Sequence, residues 1–487
     1  MKDKKTFAKD EKSHPKGTMH TLSEFRREAG IPLVIAKKMV MWGEVEAVKL
    51  GDGAVSITEE EVQRIRKLFK SPRMRMKYYL RVLGPGIVTG VSDDDPGGIG
   101  TYSSVGAMFG FAILWTAAWL LPIMFAVQEV CARIGIVVNH GLTNVLQKHY
   151  GKKVVLSIVI LLIIANVVNI GADLGAMAAS LQLLTGADFY FGAVIFALLI
   201  IFMEIFFQYH VYVRVLKWLT LSVLAYIFAG FMTHPNWSEV LANAFVPKIY
   251  FNENYIFALI AIFGTTITPY LFFWQTSEEV EENKLFKLKW GKQAVHTRVR
   301  EMRTDVGAGM LLANVVFFFI ILTTAQVLFK NGVTNIGSAE QAAQALRPFA
   351  GNLAYALFAL GIIGTGILAV PILAGSGAYA LCEVMKWHEG LELKFSRAKG
   401  FYFIIAFSII IGLLMNFIGI EPIKALYYSA YLNGIIALPL LIAIMIVGND
   451  KRIMGVETHP RWVKFFGWLA VAFMVAAIIT TIILALR

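Results

Sequence analysis

Three consecutive carboxylates, Asp93, Asp94 and Asp95, stand directly before Pro96, Gly97 and Gly98 in an otherwise apolar stretch. A charged side chain near the middle of a bilayer costs at least about 2.5 kcal/mol, so carboxylates kept there mark a function by default. A second apolar stretch is interrupted by Gly264-Thr265-Thr266-Ile267-Thr268-Pro269-Tyr270. There Pro269 removes a backbone donor and the β-branched neighbours weaken the helix around it. Unwinding at the two places frees main-chain carbonyls near Asp95 and Thr265. With the Asp95 carboxylate and the Thr268 hydroxyl they form an oxygen-rich cage, which is the chemistry of a hard cation. Asp95 is the principal candidate ligand and Asp94 a further one. Three adjacent like charges repel unless they share a cation, and either Asp93 or Asp94 can instead cap the first half-helix.

The elements that position these residues are membrane helices. Of 487 residues, 57% are hydrophobic and 16% charged, with a mean hydropathy of +0.63, against roughly 25% charged in an average soluble domain. A soluble enzyme, a fibrous protein and a secreted disulfide scaffold are excluded. Cys131 and Cys382 both lie in apolar stretches, so no disulfide framework or CxxC metal site is available. No phosphate loop, HExxH or GxSxG motif appears, which speaks against an enzyme and leaves no catalytic residue or cofactor to name.

We count eleven spans, at about 82–108, 110–136, 153–184, 190–208, 213–233, 250–276, 304–329, 352–385, 398–417, 422–447 and 463–486. With the N-terminus inside, the cytoplasmic connections hold 20 Lys and Arg. The opposite loops hold only Lys248, Lys330, Arg347 and Lys424, with Arg487 at the end, so the positive-inside rule places the C-terminus outside a cell membrane. The broken spans are then the first and the sixth, the opening helices of two five-helix halves. Paired interruptions at matching positions point to a secondary transporter of inverted repeats, with its site at the bilayer midplane. Other intramembrane polar residues have quieter readings: Glu129 and Glu204 suit pairing with Arg133 or Arg214, while Tyr431 and Asn433 in a polar stretch of the tenth span are candidates for the ion pathway.

The soluble part precedes the spans. Residues 1–81 carry 19 Lys and Arg against 11 Asp and Glu, with no apolar signal segment. Residues 1–20 read as a disordered basic tail, 21–70 as a small α+β cytoplasmic domain and 71–81 as a basic juxtamembrane linker before the transporter domain at 82–487. Within 21–70 the pattern gives a helix over Thr21–Ala29 stopped by Gly30, a second over Ile31–Trp42, strands Glu46–Leu50 and Ala54–Ile57 around Gly51-Asp52-Gly53, and a last helix capped by Thr58 with Glu61. This order resembles the winged helix-turn-helix of MerR-type and excisionase regulators, in pattern only. That resemblance implies DNA contact through Lys37, Lys38 and Lys49. A basic surface facing anionic lipid is the preferred reading, nucleic acid the lesser one.

Gly84-Pro85-Gly86, Asp95-Pro96-Gly97 and Gly264 through Pro269 resemble the natural-resistance-associated macrophage protein (NRAMP) family over about residues 80–487. The resemblance implies a LeuT-like 5+5 inverted repeat in an all-α polytopic membrane protein with helices one and six broken, carrying divalent metals. The departures matter as much. Gly98 stands where manganese and iron carriers of the family have an Asn ligand. Thr265, Thr268 and Tyr270 stand where they have Ala, a metal-binding Met and His, and Ala176 replaces a Glu three residues after Asp173. Loss of the thioether removes the bias against Mg²⁺ and Ca²⁺. These features resemble the NRAMP-related magnesium branch, with an aluminium-carrying branch as nearest competitor. None of the nine His lies inside a span, so Asp173 has no imidazole or acid partner for a proton relay. The expectation is uncoupled Mg²⁺ and Mn²⁺ movement driven by membrane potential. The alternatives are a proton-coupled Mn²⁺ or Fe²⁺ symporter and a membrane-tethered DNA-binding regulator.

Overall fold

The computed structural model describes residues 18–31, 35–36, 39–40, 44–49, 55–75, 89–90, 92–206, 223–286, 292–391, 393 and 395–486. The chain divides into two units, residues 1–84 with 283–289 and the remainder.

In the N-terminal unit β1 (Met19–Thr21), β2 (Ala47–Lys49) and β3 (Val55–Thr58) form an antiparallel sheet in the order β1-β3-β2. Two helices, α1 (Leu22–Ala29) and α2 (Glu59–Leu68), accompany it. Thr21 and Glu24 make a reciprocal capping box at the start of α1, and Gly30 ends the helix at φ +67°, a conformation costly for any residue with a Cβ. Phe25 and Ala29 on α1, Ile57 on β3 and Val62 and Ile65 on α2 are buried together. Their i, i+4 and i, i+3 spacings put each helix's apolar residues on one face.

Two expectations need correction here. The disordered tail expected over residues 1–20 ends earlier, since Met19 and His20 pair with Thr58 and Ile57; a three-residue strand carries too little hydrophobic alternation to announce itself. At Thr58 only half of the capping box forms, the hydroxyl accepting from the Glu61 N–H. The turn Gly51-Asp52-Gly53 and the residues Lys37 and Lys38 lie outside the described residues, as does much of the expected helix over Ile31–Trp42.

In the second unit, nine helices among the described residues are long and apolar enough to cross a membrane. The expected spans at 82–108 and 213–233 fall partly outside the described residues and appear as α3 (Pro96–Phe109) and α7 (Ala225–Met232). Between them run α4 (Trp115–Val138), α5 (Lys152–Thr185) and α6 (Phe189–Phe206). After them come α8 (Glu253–Thr266), α9 (Pro269–Phe286), α10 (Lys292–Val327), α11 (Ala354–Met385), α12 (Lys399–Met415), α13 (Pro422–Asn449) and α14 (Arg461–Ala485). Helices α9 and α10 extend well beyond the expected ends at 276 and 304. Their extra turns carry Glu279, Glu282 and Arg298, whose mutual ion pairs remove the charge that a hydropathy window penalises.

Lipid cannot drive apolar helices together, so close packing of small residues and interhelical hydrogen bonds must. A Cβ at Gly264 would lie 1.9 Å from the Ala430 carbonyl oxygen, and one at Gly434 would lie 2.5 Å from that of Ile260, so α8 and α13 touch backbone to backbone. On α5, the Asn166 side-chain amide donates to the Leu373 carbonyl of α11 at 2.8 Å, and the Gly171 carbonyl accepts from Asn416 at 2.9 Å. The Asn314 amide ties α10 to the Ala117 carbonyl of α4 at 2.8 Å. These contacts hold the interrupted helices inside a cage of continuous ones.

Candidate functional site

Pro96 has no N–H to offer the carbonyl four residues back, at Ser92, and Pro269 has none for the carbonyl of Thr265. Each proline therefore opens a helix at the same relative place. At the first opening Asp95 takes an extended conformation (φ −68°, ψ 173°), and its Oδ1 accepts from the Gly98 N–H at 2.7 Å as the N-cap of α3. At the second, α8 stops at Thr266, Ile267 leaves the helical region (φ −124°, ψ 58°) and α9 starts at Pro269.

Tyr270, the second residue of α9, joins the two openings. Its hydroxyl lies 3.1 Å from Asp95 Oδ2 and 3.1 Å from the Ser92 carbonyl oxygen, so its one proton reaches either acceptor. Around this junction Asp93, Asp94, Asp95, Asp173, Thr265 and Thr268 are all buried. Among the described residues, both carboxylate oxygens of Asp93, one each of Asp94 and Asp173, and the Thr268 hydroxyl have no hydrogen-bond partner. Buried polar atoms are normally paired, and an unpaired buried charge is the most expensive exception. Such a concentration of oxygen donors suits the chemistry of a hard cation.

Gly98 contributes a backbone donor to Asp95. A Cβ there would approach the Asp93 carbonyl oxygen to 3.0 Å and the Tyr102 ring to 3.3 Å, so a side chain at this place would need its neighbours to give by a few tenths of an ångström. The Gly97 N–H interacts with the carboxylates of both Asp95 and Asp173, which brings α5 to the break. Asp173 thus faces another carboxylate, and among the described residues it makes no ion pair with Lys or Arg. The Thr265 hydroxyl meets that of Tyr102. Asn433 is buried beside the α8–α13 crossing. The Tyr431 ring stacks face to face on Phe257, centroids 3.8 Å apart, about two turns ahead of Thr265.

Tyr102 and a polar ladder along α9 escaped the sequence reading. Tyr102 is buried and stacked on Phe317 of α10, centroids 4.2 Å apart; its place one turn after Gly98 was the available signal. In the ladder the Thr89 hydroxyl donates to Gln275, Gln275 to Glu279 at 3.1 Å, and Arg298 bridges Glu279 at 2.9 Å and Glu282. Gln275, Glu279 and Glu282 follow the i, i+4, i+7 spacing of one helix face. Nearby, Glu129 pairs with Arg133 as expected from their spacing, and also with Arg303 at 2.9 Å. Arg133 continues to Glu457 at 3.4 Å.

A helical carrier whose two interrupted helices meet at a buried carboxylate cluster is the class this geometry defines. The chain matches the natural resistance-associated macrophage protein-like family over residues 86–484 and belongs to it. Members of that family are membrane transporters of metal ions, not enzymes. Among curated relatives, the divalent metal cation transporter MntH of Caldanaerobacter subterraneus subsp. tengcongensis is 25% identical over 420 residues, 85% of this chain and 94% of that protein. The MntH of Klebsiella pneumoniae strain 342 is 24% identical over 410 residues, covering 83% and 94%. Among solved structures, the manganese transporter of Eremococcus coleocola bound to an aromatic bis-isothiourea compound superposes with a TM-score of 0.67 at 19% identity, covering 83% of this chain and 87% of that one. It shares the fold.

Proposed function

We propose that this transporter carries divalent cations, Mg²⁺ first and Mn²⁺ as well, through the junction of its two broken helices. The observation that carries the reading is the donor set: residues 92–98 and 264–270 offer carboxylates, hydroxyls and carbonyls, with no sulfur and no imidazole. Met177, one turn beyond Asp173, packs its sulfur against Gly366 of α11. Hard oxygen donors suit Mg²⁺, which sheds water reluctantly and is bound through one or two carboxylates with several waters retained. Asp95 is the central ligand through Oδ2, with Asp94, Thr268 and the Thr265 carbonyl around the hydrated ion and Asp93 and Asp173 supplying negative charge.

Transport is uncoupled from protons in this reading. Tyr270 occupies the place of a titrating imidazole, and Ala176 that of an acid. The membrane potential then supplies about 2.3 kcal/mol per charge per 100 mV, enough to draw a divalent ion inward. The positive-inside asymmetry supports eleven spans in a cell membrane, with a cytoplasmic N-terminus and an external C-terminus. The MntH relatives and the manganese transporter support a divalent cargo. The preference for Mg²⁺ rests on Gly98 and Thr268. The test is Mg²⁺ uptake by proteoliposomes holding the wild-type chain or Asp95→Asn: uptake in the first and none in the second is expected, and equal uptake rejects the site.

A further inference from the structure

We propose that Tyr102 is a specificity-determining residue of the ion site, tying the half-helix that follows the first break to the end of the half-helix that precedes the second. The inference rests on the reading that the cargo crosses this junction, and not on which divalent ion it is. Asp95, Gly98 and Tyr102 follow the i, i+3, i+7 spacing of one face of α3. A Cβ at Gly98 would lie 3.3 Å from the Tyr102 ring and 3.6 Å from Asp95 Oδ1, so the missing side chain is what lets the ring approach the carboxylate.

The side chain is fixed on several sides. Tyr102 is 1% exposed, and its ring stacks on Phe317 of α10 with an interplanar angle of 29°. Its hydroxyl is hydrogen-bonded to that of Thr265, the penultimate residue of α8, and lies in the field of Asp93, Asp94 and Asp95. Phenylalanine would fill the same space, and a buried hydroxyl costs free energy unless it is bonded. Packing therefore accounts for the ring and not for the oxygen. Tyr270 makes the converse link, from the start of α9 back to Asp95. Each break thus receives a tyrosine from the other broken span. On its far side α8 is held by Gly264 against the Ala430 carbonyl of α13, so the Tyr102 bond fixes the helix end from the side of α3.

Selection between ions of equal charge turns on cage size, ligand number and flexibility. With Thr265 tied to a stacked ring, the oxygens at the end of α8 hold one position. A phenol has one donor and two acceptor sites, so the Tyr102 hydroxyl, after bonding Thr265, keeps capacity for a water carried by the ion. A rigid wall that binds water suits a small ion that keeps its hydration shell. Ca²⁺ instead takes roughly six to eight oxygens in a flexible geometry, and release of the α8 end favours it.

The test is Mn²⁺ uptake by proteoliposomes with Ca²⁺ as competitor, for the wild type, Tyr102→Phe, Thr265→Val and the double variant. Phenylalanine keeps the ring and its stacking on Phe317, and valine keeps the β-branch and the main-chain carbonyl. Each single variant should lower the Ca²⁺ concentration that halves uptake by about fivefold, within the worth of one hydrogen bond. The double variant should lower it no further, because both substitutions remove the same bond. Where a variant loses uptake, Ca²⁺ competition against Mn²⁺ binding in detergent reads the same ratio. An unchanged Ca²⁺ value in Tyr102→Phe, or effects of the two substitutions that simply add, overturns the proposal. Asp95→Asn run alongside separates the two claims: uptake that survives it rejects the junction and this inference together, whereas Asp95-dependent uptake with an unchanged Ca²⁺ value rejects the role of Tyr102 alone.

Discussion

The two helix breaks use the same backbone device and carry opposite chemistry. Ser92 with Pro96, and Thr265 with Pro269, each lose one helical hydrogen bond to a proline four residues on. The first break then presents three carboxylates and two glycines, whereas the second presents hydroxyls and a tyrosine. Charge attraction resides on one side and size and softness of the cage on the other. Tyr270, 3.1 Å from Asp95, is where the second break acts on the first. In the proposed reading, a site built this way would separate affinity for a divalent ion from choice among divalent ions.

Asp95→Asn should break the comparison most severely. The amide oxygen can still accept from Gly98 and cap α3, so the helix survives while the charge is lost. Loss of a charged ligand is worth about 3 kcal/mol, and Mg²⁺ uptake should fall at least about 100-fold while thermal stability in detergent changes little. Asp95→Ala would mix this with a cap loss of about 1 kcal/mol. Thr268→Met should next alter choice without abolishing transport, shifting the Mn²⁺ to Mg²⁺ ratio about tenfold toward Mn²⁺ because a thioether is a softer donor. An unchanged ratio in competition uptake removes Thr268 from the site. Tyr270→Phe deletes one hydrogen bond to a carboxylate, worth about 1.5 kcal/mol, so apparent Mg²⁺ affinity should change by roughly tenfold with selectivity retained.

The smallest effect is a control away from both breaks. His459 is buried with neither ring nitrogen hydrogen-bonded among the described residues, and burial holds it down to about 4. Its unfolded value is about 6.5, so below that pH the unfolded chain takes up a proton that the folded chain refuses, and stability falls between about pH 6.5 and 4. His459→Gln should flatten this slope in thermal melts while leaving the Mg²⁺ to Mn²⁺ ratio at neutral pH unchanged.

The breaks were legible in the sequence because carboxylates and prolines are conspicuous in apolar helices. What each residue does there was less so. Asp95 had to be seen in its extended conformation before its oxygens divided between capping α3 and facing Tyr270. The Gly98 N–H, which donates to Asp95, carries no signal in the sequence, where only the absence of a side chain is visible. The stacking of Tyr431, a candidate pathway residue, on Phe257 depends on the α8–α13 crossing, which no local pattern encodes. The α9 ladder was hidden because Glu279 and Glu282 depress hydropathy unless Arg298, beyond a chain reversal, is known to pair with them. His20 was lost in a charged tail for the same reason: its partners Glu28 and Glu59 come together only when β1 pairs with β3.

We propose an uncoupled hard-cation pathway through an all-oxygen junction. Its most direct test is uptake of Mg²⁺ and Mn²⁺ into proteoliposomes at a clamped negative potential, with an internal pH dye recorded alongside. Entry of both ions at constant internal pH is the expected result. Entry of Mn²⁺ with acidification, and exclusion of Mg²⁺, would contradict it and make Tyr270 and Thr268 parts of a proton-coupled transition-metal site.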